Sequence, residues 1–145
     1  MSAEQFRQEI NTLLFTMRGN GIFSASILGV NIINDMDIIL NYQYGRIVRR
    51  YLTWGLCIGR SVDTFTKLFL MHKGVILPAF IGFTPRIHEI CNNYVSDPNL
   101  KTELEYVRDR RNELFHEAGR HFTRNELRQF TFNAIKSMHQ LLTDL

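Results

Sequence analysis

Proline, cysteine and long apolar runs are scarce in this sequence, and each scarcity excludes a class of protein. Three prolines among 145 residues exclude a collagen-like or proline-rich chain. The two cysteines, Cys57 and Cys91, lie in separate apolar stretches without a Cys-x-x-Cys or Cys/His cluster, which argues against a disulfide framework or a zinc site. The longest uncharged run, over residues 19–34, contains Asn, Ser and Gly and falls short of the roughly 20 apolar residues that span a bilayer.

The composition is typical of one folded domain. Hydrophobic residues make up 45% of the chain and include 11 phenylalanines. The first residues, "MSAEQFRQEI", carry acidic side chains and lack the apolar centre of a secretory signal. The net charge of +3 is compatible with a polyanionic partner but is weak on its own. We therefore expect a single domain over residues 1–145 that is cytoplasmic and not bound to a membrane.

Five segments show the apolar spacing of amphipathic helices. They cover residues 3–17, 45–73, 84–95, 96–119 and 123–143. Residues 20–43 fit neither helix nor strand cleanly, so helix and loop both stay open there, with room for a short strand. No repeat or low-complexity linker separates the segments. The sequence therefore predicts an all-α bundle of about five helices around one core.

Capping residues support these boundaries. The predicted caps are Ser2 with Gln5, Thr84 before Pro85, Asp97 before Pro98, Gly119 as a C-terminal stop, and Thr123 with Glu126. In the third predicted helix the inward-facing residues are expected to be Ile87, Ile90, Cys91, Tyr94 and Val95. Gly55 and Gly59 weaken the central helix locally, but they would let another backbone approach closely.

An arginine interrupts the apolar stripe of the fourth predicted helix. Leu104 and Val107 are followed at the next stripe position by Arg111. An unpaired buried charge costs several kcal/mol, so Arg111 must be ion-paired, reach solvent, or serve a functional site. His116 follows five residues later, about 140° away on a straight helix, so the two side chains would converge only at a helix end or across a dimer. Asn112 and His116 share a face, where the amide can orient the imidazole.

Basic residues crowd this end of the helix. They are Arg108, Arg110, Arg111, Arg120, His121 and Arg124. A histidine exchanges protons near neutral pH, and arginines neutralise a phosphate. No pair of carboxylates with metal-binding spacing lies nearby, so we expect neither metal nor cofactor. The chemistry suits metal-free RNA cleavage by the substrate's own 2′-hydroxyl, although arginines late in a helix also simply complement its dipole.

Residues 96–143, with "RRNELFHEAG" at the end of the penultimate helix, resemble the HEPN domain, the "higher eukaryotes and prokaryotes nucleotide-binding" superfamily. Its ribonuclease members carry an Arg-x(4–6)-His motif with a polar residue directly after the arginine. Arg111, Asn112 and His116 match this pattern, and Arg110 offers an alternative spacing to the same histidine.

The resemblance implies a homodimer in which two Arg/His sets meet in a cleft and cut RNA without metal. Arg111 would stabilise the phosphate, His116 would act as general acid or base, and Asn112 would orient His116. The RNA-binding residues would be Arg108, Arg110, Arg120 and Arg124. Family members of this size serve as toxins or as abortive-infection factors against phage, which implies an antitoxin or another regulatory protein as a partner. Members controlled by nucleotidyltransferase antitoxins often carry a tyrosine two residues after the histidine, and Ala118 stands there instead.

Two other interpretations stay open. HEPN-like members that have lost activity bind a nucleotide, RNA or a partner protein, and an unrelated bundle would carry the Arg/His spacing by accident. Trp54 has the means to stack on a base, but its helical spacing favours the core. Asp63 with Lys67 has the spacing of an ordinary i, i+4 pair. The other histidines are expected to be structural or surface residues: His72, His88 and His139.

Overall fold

The computed structural model describes residues 2–41, 47–117 and 119–145, and helices dominate all three ranges. The α-helices are α1 (Ala3–Arg18), α2 (Gly21–Ser24), α3 (Ile27–Asn41), α4 (Ile47–His72), α5 (Phe83–Asn93), α6 (Pro98–His116) and α7 (Arg124–Asp144), with a 3₁₀ turn over Leu77–Phe80. No strand occurs in the described ranges. The predicted all-α class is confirmed, whereas the expected number of about five helices is too low.

The missing helices come from residues 20–43, where the sequence left helix and loop open. The side chain of Asn20 accepts a hydrogen bond from the backbone N–H of Ile22 and starts the single turn of α2. The following α3 packs along α4, and an ion pair joins Arg60 to the largely buried Asp35 at 2.6 Å. The helix is therefore stabilised by contacts with α4 that lie outside its own sequence window. Residues 42 and 43 lie outside the described ranges.

The central helix is α4, which contacts α3, α5, α6 and α7. Its prediction over residues 45–73 is confirmed from residue 47 onward, the two earlier positions lying outside the described ranges. A heptad-like series of buried side chains runs along it: Ile58, Val62, Phe65 and Phe69. Because α4 is buried on several sides, the remaining helices are arranged around it.

The capping boxes of the first and last helices are confirmed. Ser2 accepts from the N–H of Gln5 and Thr123 from that of Glu126, each with the reciprocal bond that completes the box. Helices α1 and α7 each bury an apolar stripe. The stripes are Phe6, Ile10, Leu13, Leu14 and Met17 in α1, and Leu127, Phe130, Ala134, Met138 and Leu141 in α7.

The start of α5 was predicted wrongly. The helix begins at Phe83 with Gly82 as its N-cap, so Thr84 and Pro85 already lie in the first turn. Phe83 is buried and α5 packs against the preceding 3₁₀ turn, so packing moves the boundary by two residues. Tyr94 was expected to face inward, but it is the C-cap and is 37% exposed.

Helices α6 and α7 pack against each other and against α4. The predicted cap of α6 is confirmed, because Asp97 accepts from the N–H of Asn99 and Pro98 is the first helical residue. In the part of the chain that the structure describes, no helix is both long enough and apolar enough to cross a bilayer.

Candidate functional site

The C-terminal end of α6 opens into a groove of about 510 Å³. Its lining residues are Leu52, Leu56, Leu114, Phe115, His116, Glu117, Gly119, Arg120 and His121. His116 is the last helical residue and is exposed, and His121 is half-buried across the turn. The groove therefore brings together two imidazoles and a guanidinium, of which the sequence had assigned only His116 to catalysis.

The turn after α6 determines where His121 lies. The helix ends when the N–H of Glu117 donates to the carbonyl of Glu113 at 3.2 Å, and the N–H of Arg120 then donates to the carbonyl of Glu117 at 3.0 Å. Gly119 has a φ of +77°, a conformation that residues with a Cβ rarely adopt. Gly119 thus supplies the positive φ of the turn, although the helix itself ends at His116. Ala118 lies outside the described residues.

Three carboxylates lie around Arg120. Its guanidinium pairs with Glu126 at 2.5 Å and Glu113 at 3.1 Å, and lies 3.9 Å from Glu117. The hydrogen bonds to Glu126 and Glu113 raise the pKa of Arg120, and the bond from Arg120 lowers the pKa of Glu126 below its usual range. The positive charge of Arg120 is therefore largely balanced inside the chain before any phosphate arrives.

Arg111 also forms an ion pair, which explains how a charged side chain occupies a position on an apolar stripe. Its Nη1 donates to Asp63 of α4, and its guanidinium lies over the rings of Phe83 at 5.1 Å and Phe115 at 5.4 Å. The side chain is 19% exposed, and its Nε is buried without a hydrogen-bond partner among the described residues. Pairing and aromatic stacking together offset much of the cost of placing this arginine against the core.

Gly59 makes room for Arg111. A Cβ at residue 59 would lie 2.8 Å from Cγ of Arg111, and one at Gly55 would lie 2.9 Å from Cδ1 of Leu114. Both glycines were expected to admit another backbone, but in each case the approaching group is a side chain of α6. The close approach is needed because the arginine stem passes over Gly59 to reach Asp63, one turn further along α4.

Asp63 is the residue that sequence reasoning missed. It was interpreted as an i, i+4 partner of Lys67, but its two oxygens accept from Arg86 and Arg111. Arg86 is only 2% exposed and also donates to the carbonyl of Ile81 at 2.6 Å. Burial lowers the pKa of Arg86, and Asp63 opposes that effect. A signal was present, because Arg86 lies on the stripe between Phe83 and Ile90, as Arg111 does on its own helix.

The predicted catalytic trio is not gathered into one cavity of a single chain. Arg111 faces Asp63 and does not line the groove that contains His116, as the angle of about 140° between them indicates. Asn112 is half-buried, and the hydrogen bonds found among the described residues do not include one to His116. Within one chain, the groove thus contains His116 without Arg111.

The predicted RNA-binding arginines lie in different surroundings. Arg108 bonds to Asp109 at 3.0 Å and Thr84 at 3.1 Å, and Arg110 pairs with Glu113 at 2.8 Å and stacks on Tyr106. Arg124 lies in another cavity, beside α1 and α4. The basic cluster of the sequence is therefore interleaved with carboxylates in space, except at Arg124.

The two cysteines and the acidic residues are the remaining candidates for a nucleophile or a metal site. Cys57 is buried and Cys91 half-buried, both are free thiols, and burial raises the pKa of each. In the ranges that the structure describes, no group of three or more His, Cys, Asp or Glu residues is arranged to hold a metal ion.

Comparison with known proteins adds no relative. No family model, curated protein or solved structure matches the chain. The functional assignment therefore depends on the residues and geometry described above.

Proposed function

We propose that this chain is a metal-independent endoribonuclease of the HEPN type, with His116 as its general acid or base. The observation that carries the proposal is that His116 lies exposed in a groove large enough for a nucleotide, beside His121 and Arg120. Histidine is the side chain that most often transfers protons in general acid–base catalysis. The all-α fold and the position of His116 at the end of the penultimate helix support the resemblance.

The reaction needs two proton transfers. The 2′-oxygen forms a bond to the phosphorus and loses its proton to a base, while the bond from phosphorus to the 5′-oxygen breaks and an acid protonates that oxygen. His116 fills one of these roles, and His121 is a second proton carrier available in the same groove. The products are a 2′,3′-cyclic phosphate and a 5′-hydroxyl.

Arg111 enters the site in a dimer. Because Arg111 and His116 face different sides of α6, a second chain docking at this helix end would bring the arginine of one copy towards the histidine of the other. Phe115 lies between them in sequence and is 56% exposed, which supplies apolar surface for such contact. Light scattering is expected to detect a dimer that Phe115→Glu dissociates.

The decisive experiment follows cleavage of a fluorescent RNA oligonucleotide in EDTA. His116→Ala is expected to lower the rate by about 10²- to 10⁴-fold, and His88→Ala, an exposed histidine of α5, is the matched control that retains full activity. Undiminished cleavage by the His116→Ala protein, or an absolute need for a metal ion, would refute the proposal. A 2′-deoxy substitution at the scissile position should abolish cleavage.

Arg111 needs two variants, because Asp63 loses a partner in Arg111→Ala. Arg111→Lys keeps a positive charge beside Asp63 but removes the forked guanidinium. We expect both variants to lose cleavage, and only Arg111→Ala to lose stability. Full activity in both would remove Arg111 from the mechanism and leave Arg110 as the motif arginine. Loss in Asn112→Ala with normal folding would support its role in orienting His116.

A non-catalytic HEPN-like module is the second candidate, and the ion pair of Arg111 with Asp63 favours it. An arginine whose charge is already balanced contributes less to a developing phosphate charge. This candidate predicts RNA binding without cleavage at any protein concentration. If cleavage is found, growth arrest by the wild-type chain in the cytoplasm but not by His116→Ala would support a toxin or anti-phage role, with an antitoxin or regulatory partner.

A further inference from the structure

A second cavity, of about 190 Å³, lies where α1, α3, α4 and α7 meet. It is distinct from the groove at His116, since no described residue lines both. Its lining combines four arginines, Arg7, Arg50, Arg124 and Arg128, with aromatic and aliphatic side chains. No carboxylate occurs among the described residues that line it. We call it the arginine cavity.

The other described arginines are ion-paired within the chain. Seven of them form ion pairs with a carboxylate: Arg18, Arg60, Arg86, Arg108, Arg110, Arg111 and Arg120. The four that form no such pair with any described residue are those of the arginine cavity. Four like charges converging without a counterion repel one another, and an anion would relieve that repulsion.

The surroundings of these arginines support an anionic ligand. Arg7 donates only to the neutral carbonyl of Leu40, at 3.1 Å, and Nε of Arg50 is buried with no hydrogen-bond partner among the described residues. Arg124 is the first residue of α7, at the positive end of its dipole, and Arg128 follows four residues later on the same face. The charge of Arg124 is thus unfavourable beside the helix dipole, and the charge of Arg128 is unfavourable beside Arg124. A bound anion would offset both repulsions.

The apolar part of the lining suits a flat ring, with the guanidinium of Arg7 5.9 Å from the centre of the Trp54 ring. Trp54 is half-buried, and its Nε1 donates to Oγ1 of Thr131 at 3.0 Å, which fixes the orientation of the indole. Leu127 and Phe6 continue the apolar surface beside it. The volume is below the roughly 300 Å³ of drug-sized sites, so the cavity encloses one planar ring and one charged group of a ligand whose linking sugar lies at its open side, and a long acyl chain exceeds it.

We propose that the arginine cavity binds a nucleoside phosphate, with the phosphate held by the arginines and the base against Trp54. Arginine provides forked donors for phosphate oxygens, and an aromatic face stacks on any base. The ligand is either a free nucleotide or one nucleotide of an RNA strand. The site does not depend on RNA cleavage, so His116→Ala is expected to bind as the wild type does.

The chain itself supplies the probe, because Trp54 is its single tryptophan. Titration with 5′-AMP should change Trp54 fluorescence saturably, with much weaker responses to adenosine and to inorganic phosphate. Arg128→Gln, and separately Arg124→Gln, should weaken AMP binding about tenfold or more, since each removes a charged donor. Arg18→Gln is the matched control, an exposed arginine of α1 that lies outside the cavity and should leave binding unchanged.

A hexauridylate titration separates the two sources. Saturation by AMP identifies a free-nucleotide site, and saturation by hexauridylate alone, lost in Arg128→Gln, identifies one nucleotide of a strand; either result supports the proposal. It is overturned if neither ligand changes the fluorescence, if Arg18→Gln weakens binding as much as Arg128→Gln does, or if only vesicles of anionic lipid give the change. Thermal melts of each variant confirm that it is folded.

Discussion

Two groups of arginines in this molecule have opposite surroundings. Between α4, α5 and α6, Asp63 accepts from both Arg86 and Arg111, and further donors and aromatic rings complete the contacts. In the arginine cavity, Arg124 and Arg128 lie together without a carboxylate among the described residues. In the first group each arginine has a carboxylate partner, although Asp63 serves both; we call it the balanced group, and its charges hold helices together. The second group is unbalanced, and we assign its charge to a ligand.

Breaking the balanced group at its centre should have the largest effect. Asp63→Ala leaves Arg86 and Arg111 without their shared counterion, which is expected to lower the free energy of unfolding by about 3–5 kcal/mol. Urea denaturation measures this loss of stability. Asp109→Ala is the matched control, since its carboxylate is 58% exposed and pairs with Arg108 at the surface, where loss costs about 1 kcal/mol or less. Similar losses in both variants would contradict the bridging role of Asp63.

A smaller effect is expected from crowding the path of Arg111 to Asp63. In Gly59→Ala the new Cβ would lie 2.8 Å from Cγ of Arg111, so the stem of Arg111 or one of the two helices must shift. We expect a loss of about 1–2 kcal/mol, because overpacking costs about 1–3 kcal/mol and the better helix propensity of alanine returns up to about 1 kcal/mol. In Gly21→Ala the Cβ would meet nothing within 4 Å, so this control should be close to neutral in the same urea titration.

The unbalanced group should respond in the opposite direction. Arg124→Gln removes a positive charge from the N-terminus of α7 and from the neighbourhood of Arg128, so it should raise the free energy of unfolding by about 0.5–1 kcal/mol at low salt. The gain should shrink with added salt, which screens the repulsion. A loss of stability in Arg124→Gln would mean that the arginine is balanced in the free protein after all.

The smallest effect concerns the paired Arg120 and its pH dependence. The hydrogen bond from Arg120 holds the pKa of Glu126 below its ordinary 4.5. The folded state therefore binds this proton less readily than the unfolded chain, so the stabilisation is fully present above about pH 4.5 and is lost as the pH falls through the lowered pKa. Glu126→Gln should cost about 0.2–1 kcal/mol at pH 7 and nothing at strongly acidic pH, which thermal melts across the pH range measure. A constant difference between the two proteins would exclude the ion pair as its cause.

Local sequence determined most of the helices. Capping residues and apolar spacing act within a few residues of each other, which is why α1, α6 and α7 begin where Ser2, Asp97 and Thr123 predict. The same local logic marked Arg111 as an arginine on a core-facing stripe that would need a partner or a site. It also placed His116 near the end of α6, before the predicted stop at Gly119, and the last helical residue is His116.

Tertiary structure decided what local signals leave open. Residues 27–41 form a helix where they pack against α4, although their own spacing leaves helix and loop open. Helix α5 starts at Phe83, after Gly82, because burying Phe83 outweighs the weak local preference for a start at Thr84. The partner of Arg111 is Asp63, 48 positions away in the chain. Helical periodicity relates only residues a few positions apart, so it does not predict this pair. The arginine cavity likewise gathers side chains from helices far apart in sequence. Local sequence thus determined most of the helices and showed which charges need an explanation, and only packing decided which of those charges found a partner, because electrostatic pairing depends on distance in space.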